Sequence, residues 1–116
     1  MSIKRLHVGP RLSQVAIHGN VLYTAGIVAD DPSADAAGQT RQILERIDKY
    51  LAEGGSDKTK LLSATIWLAD IKDYAAMNGA WDTWVDKANT PPRACVEAKL
   101  AAPQFKVEIR VIAAVA

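Results

Sequence analysis

Two hydrophobic periodicities alternate along the 116-residue chain, and their order predicts its architecture. Val15-Ala16-Ile17-His18 and Val21-Leu22-Tyr23-Thr24 read as short strands separated by Gly19-Asn20, a pair able to take the positive φ values of a tight turn. A β-hairpin is expected to open the fold. Asp30-Asp31-Pro32-Ser33 then breaks the strand pattern, with Ser33 as the expected N-cap, and Ile43, Leu44, Ile47, Tyr50 and Leu51 recur at helical spacing before Gly54-Gly55. Residues 61–69 are apolar on both alternating sets, with Leu62, Ala64, Ile66 and Leu68 on one face and Leu61, Trp67 and Ala69 on the other. That pattern predicts a strand covered on both sides. Asp70 is placed to cap a second helix with the stripe Tyr74, Met77, Trp81, Trp84 and Val85, and Pro91-Pro92 prevents its continuation. Two strands linked around Pro103 complete the chain, residues 94–98 and 106–115; in the second, Val107, Ile109, Val111, Ala113 and Val115 alternate with Lys106, Glu108 and Arg110.

Strands, helix, strand, helix, strands, without a repeat or linker, predict one α+β domain over residues 1–116. Two helices ~10 Å wide roughly match four to six strands spaced ~4.8 Å apart, so they can cover only one sheet face. The other face needs a cover, and a second copy of the chain is the expected one.

Composition narrows the function classes. At 49% hydrophobic and 23% charged residues the chain is that of an ordinary folded domain. Fourteen Lys and Arg against 13 Asp and Glu leave a formal charge of +1, which gives no broad field for a polyanion, so nucleic acid is not the expected partner. A lone cysteine, Cys95, forms no internal disulfide and excludes a Cys-based zinc site, while His7 and His18 lack metal-ligand spacing. No apolar run has signal-peptide or membrane-span length, so a soluble, cytoplasmic protein without metal or cofactor is expected. Phosphate loops, HExxH and nucleophile-elbow motifs are all missing.

The remaining candidates gather near the C-terminus. If a strand begins near Arg93, then Arg93, Cys95 and Glu97 share one face. The planar guanidinium of Arg93 can grip a small carboxylate through two charge-assisted hydrogen bonds, or else pair with Glu97 or Glu108 at the surface. Glu108, flanked on its own face by Lys106 and Arg110, is either an ordinary solvated residue or a carboxylate that orients water in a cleft. Cys95, between small apolar neighbours, reads first as a buried thiol. Asn78, at the border of the second helix's apolar stripe, must bond nearby backbone or face a pocket. Trp81 and Trp84 read as packing.

Pro92-Arg93-Ala94-Cys95-Val96-Glu97 followed by Lys106-Val107-Glu108-Ile109 resembles the signature of the RidA (YjgF/YER057c/UK114) family. Tyr23-Thr24-Ala25-Gly26, Gln39-Thr40, Ala64-Thr65-Ile66-Trp67-Leu68 and Asp73-Tyr74-Ala75-Ala76-Met77-Asn78 extend the resemblance over nearly the whole chain. It implies a chorismate-mutase-like α+β fold, with a mixed β-sheet and two helices packed on one face, assembled as a homotrimer with a central β-barrel and clefts between subunits. It also implies cofactor-free hydrolysis of enamines and imines such as 2-aminoacrylate to 2-oxo acids and ammonia, the chemistry of a 2-iminobutanoate/2-iminopropanoate deaminase. On the matching positions, Arg93 would bind the substrate carboxylate, Glu108 would help place the attacking water, and Gly26, Asn78 and Cys95 would line the cleft. A trimer that only binds small acids in the same cleft is the alternative. Gly9-Pro10 is followed by Arg11-Leu12-Ser13-Gln14 where the family has a tyrosine, which resembles the divergent YoaB-like subgroup.

Overall fold

The computed structural model describes residues 2–115. Six strands form one mixed sheet: β1 (Ile3–Val8), β2 (Ser13–His18), β3 (Val21–Thr24), β4 (Leu61–Leu68), β5 (Arg93–Glu97) and β6 (Val107–Ala114). Their spatial order is β1-β2-β3-β6-β4-β5, with β4 and β5 parallel and every other neighbouring pair antiparallel. Helix α1 (Ala36–Glu53) leads from β3 to β4, and α2 (Tyr74–Trp84) makes the crossover between the parallel pair. β5 and β6, consecutive in sequence, are therefore separated by β4.

The expected β2–β3 hairpin is present, but β1 precedes it and pairs along β2. Gly19 alone of the turn pair takes a positive φ, 60°, as a hairpin turn with glycine at its first central position requires. Ser33 is not the cap of α1. Its N–H and hydroxyl donate to Asp31 Oδ1 at 3.1 and 2.6 Å, and Asp35 caps the helix by accepting from the Gly38 N–H at 2.8 Å. Asp70 accepts from the Lys72 N–H and caps a 3₁₀ turn, Ile71–Asp73, that runs into α2.

Both helices pack on one sheet face. Ile43, Leu44, Ile47 and Leu51 of α1 and Met77 and Trp81 of α2 close over Leu22, Ala64, Ile66, Leu68, Val107, Ile109, Val111 and Ala113. Each fully buried Leu or Ile here contributes ~1.5–3 kcal/mol relative to exposure. A register shift between Leu61 and Ser63 places Leu61, not Leu62, with the buried set; Leu62 is exposed. Tyr74, expected in the buried stripe of α2, is exposed as well. Among the described residues the opposite sheet face carries no helix, and Tyr23 and Val96 stand 45% and 49% exposed on it. No helix among the described residues is long and apolar enough to cross a membrane.

Candidate active site

β5 begins at Arg93, so Arg93, Cys95 and Glu97 do share a face, and the pairing of Arg93 with Ala64 fixes it as the helix-bearing one. Neither proposed ion pair of Arg93 forms. Glu97 Oε2 instead accepts from the Ile71 N–H at 2.9 Å, tying the start of the α2 connection to the end of β5. The Arg93 guanidinium turns to α2, where Nη2 donates to the Tyr74 hydroxyl at 3.3 Å and Cζ lies 5.9 Å from the Tyr74 ring centroid and 5.2 Å from that of Trp81. Two aromatic faces and one phenol oxygen hold this arginine, and among the described residues no carboxylate forms an ion pair with it. Most of its five donors remain available to a ligand.

Cys95 follows on the same face, half-buried against the core. Burial pushes its thiol above the ordinary value, and the nearby Arg93 charge only partly offsets this. A thiol held protonated at neutral pH suits a lining residue better than a nucleophile. On α2, Asn78 lies between Tyr74 and Trp81 in sequence, and its Oδ1 is buried without a hydrogen-bond partner. Backbone does not satisfy that acceptor.

Glu108 occupies the other side of the sheet. It is paired with Trp67 on β4, and its face also carries Arg110, whose guanidinium carbon lies 6.0 Å from the Trp67 ring centroid. Ile27 bridges to Ile109, which brings Gly26 against the Glu108 side chain; a Cβ at position 26 would lie 2.9 Å from Glu108 Cδ and would overlap Oε2. Any side chain at position 26 would have to push the Glu108 carboxylate aside. Half-buried and in no ion pair among the described residues, Glu108 has its pKa raised by burial.

One chain therefore groups Arg93 and Cys95 on the helix side, beside the α2 stripe that carries Asn78, and Gly26 with Glu108 on the bare side. A side chain projecting from one face of a sheet cannot share a small ligand with one projecting from the other through the sheet itself. A surface pocket of about 490 Å³ lined by Ala69, Lys99, Leu100, Pro103 and Phe105 takes no wall from any of these residues. Among the described residues no three His, Cys, Asp or Glu side chains gather as metal ligands would. Tyr74 is the contact that periodicity misses: helical spacing assigns it to the core, and only the tertiary meeting of α2 with β5 turns it toward Arg93.

Comparisons with known proteins agree over the full length. A family profile described as "Endoribonuclease L-PSP" matches residues 2–115. The chain is 51% identical over 113 residues to a "RutC family protein" of Haemophilus ducreyi, covering 97% of each chain. It is 48% identical over 115 residues to the "RutC family protein YoaB" of Escherichia coli, covering 99% of this chain and 100% of that one. A crystal structure of a YjgF family member from Neisseria meningitidis superposes with a TM-score of 0.95 at 45% identity, covering 98% of this chain and 95% of that one. At 28% identity over 113 residues, covering 91% and 88%, the chain also matches a "2-iminobutanoate/2-iminopropanoate deaminase" of Escherichia coli.

Proposed function

The chain belongs to the RidA (YjgF) family, in its YoaB-like subgroup, and from that premise we propose that it hydrolyses small enamines and imines bearing a carboxylate, releasing 2-oxo acids and ammonia. The observation that carries the reading is the arginine at the mouth of β5: Arg93, held by aromatic faces and paired with no carboxylate among the described residues, is built to receive one. The deaminase relative, at 28% identity, supplies the reaction class.

In this mechanism the substrate carboxylate docks on Arg93, which holds the electrophilic C=N carbon in place. Asn78 Oδ1, lacking a partner among the described residues, accepts from the substrate N–H. Glu108 takes a proton from water as its oxygen bonds to the imine carbon, and returns that proton to nitrogen. The carbinolamine then collapses: Glu108 takes the hydroxyl proton and passes it to the amino group, the C–N bond breaks, ammonia leaves, and the C–O bond becomes the carbonyl of the 2-oxo acid. An iminium carbon is already electrophilic, so orientation and one proton shuttle are enough. A carboxylate with a raised pKa exchanges protons nearer neutrality than an ordinary one, and burial moves Glu108 in that direction.

Because Arg93 and Glu108 project from opposite faces, the site is built between copies, with Arg93, Asn78 and Cys95 from one and Gly26 and Glu108 from the next. A homotrimer with the bare faces turned inward as a barrel accommodates this and covers Tyr23 and Val96. Purified protein should accelerate 2-oxo acid release from imines generated by an amino-acid oxidase. Oligomers assembled from equal amounts of Arg93→Ala and Glu108→Gln chains should regain about a quarter of wild-type activity, since each site draws its two groups from different copies. Absence of acceleration across several amino acids rejects the activity. Saturable binding of a 2-oxo acid without turnover would leave a small-acid-binding module.

A further inference from the structure

Tyr74 is 44% exposed at the first position of α2, yet its ring and hydroxyl both engage Arg93. An arginine presenting its fork to a ligand must be kept from sampling other rotamers, because ordering it on binding weakens the grip. Arg93 lies on an edge strand, and among the described residues no strand lies beyond β5 to confine its side chain. Confinement comes from α2: Trp81, 5% exposed, forms a fixed floor, and Tyr74, seven residues earlier on the same stripe, adds a second ring and an acceptor for Nη2. A leucine at position 74 would retain the apolar bulk and supply neither a π face nor an oxygen.

We infer that Tyr74 is the positioning residue for Arg93, holding the guanidinium so that its remaining N–H donors face an incoming carboxylate, and that it thereby sets affinity for acidic substrates. The inference rests on the carboxylate role proposed for Arg93. Tyr74 acts before the chemical step, so its loss falls on KM and not on kcat. Within its own chain the ring is half-exposed, so removing it costs the subunit's core little, which separates this role from packing inside the subunit.

The test uses the full-length oligomer, with 2-oxobutanoate as the carboxylate probe by calorimetry and imine hydrolysis as the kinetic readout. Tyr74→Phe should raise the 2-oxobutanoate Kd and the KM about fivefold, and Tyr74→Leu about twentyfold, with kcat within about twofold and thermal stability unchanged. Values for both variants matching wild type, or a loss confined to kcat, would overturn the inference. If wild type binds and turns over and Arg93→Ala does not, while both Tyr74 variants behave as wild type, only the role of Tyr74 fails. If wild type neither binds 2-oxobutanoate nor hydrolyses imines, the carboxylate role of Arg93 fails and that of Tyr74 falls with it.

Discussion

The two faces of the sheet treat their candidate functional groups in opposite ways. On the helix side Arg93 is already seated, gripped by Tyr74 and Trp81 from within its own chain. On the bare side Glu108 has a cleared space beside Gly26, a pKa raised by burial and no ion-pair partner among the described residues. The contrast teaches where each group's energy is fixed. On the proposed mechanism, the carboxylate-binding Arg93 is preorganised during folding, whereas Glu108, the proposed proton shuttle, carries a desolvation cost that no ion pair among the described residues offsets.

The most damaging break in this contrast is Arg93→Ala. Losing two charge-assisted hydrogen bonds to a carboxylate should lower kcat/KM by about a hundredfold or more, with the oligomer intact by sedimentation; retained activity would remove the clamp from the mechanism. Gly26→Ala acts on the other face. Its Cβ must displace the Glu108 carboxylate, so activity should fall about tenfold while substrate-analogue binding stays near wild type. A parallel loss of binding would mean that Gly26 contacts the carboxylate end of the substrate.

Glu108→Gln sharpens the comparison through pH. Because burial raises the folded-state pKa above the ordinary 4.5, the folded chain binds more protons than the unfolded one between those two values. The stability associated with Glu108 is therefore fully present below 4.5 and is lost as pH rises through the folded pKa. Glu108→Gln should accordingly raise the Tm at neutral pH by a few degrees at most and leave it unchanged in acid, as thermal melts across the range will read. The acid limb of wild-type activity should lie above the pKa of an ordinary glutamate, and the variant should lose that limb together with most of its turnover.

Much of this was legible in the chain wherever one local rule decides the outcome. Gly19 set the hairpin turn, the stripe from Ile43 to Leu51 set α1, and the alternation in β6 sent Val107, Ile109 and Val111 inward and Glu108 outward. Local rules fail where a tertiary contact arbitrates. β1 mixes Lys4, Arg5 and His7 with Ile3, Leu6 and Val8 because it is an exposed edge strand, and such strands lack clean alternation. The exchange of Leu61 and Leu62 follows from a register shift that leaves no compositional mark. Ser33 and Asp35 are both good caps, and the choice fell to Asp35 because Asp31 captured the serine. For the candidate site, strand periodicity put Arg93 and Cys95 on one face, but which face depends on the β4 register, and Gly26 entered only through family resemblance.

Gln39 carries a consequence for how such a protein can change. Buried completely on α1, its amide Nε2 donates to the carbonyls of Pro32, Ala34 and Gln104, and its Oε1 accepts from the Lys106 N–H at the threshold of β6. A one-residue slip of β6 would turn Glu108 into the core and Val107 out to solvent. By anchoring Lys106 from 67 positions away, Gln39 fixes that parity independently of the intervening loop. Residues 99–103, which lie between the Ala98–Leu68 backbone bond and the Gln104 carbonyl held by Gln39, are thereby free to accept insertions and new side chains, so lineages can remodel one surface of the subunit while the direction of the acidic group stays inherited.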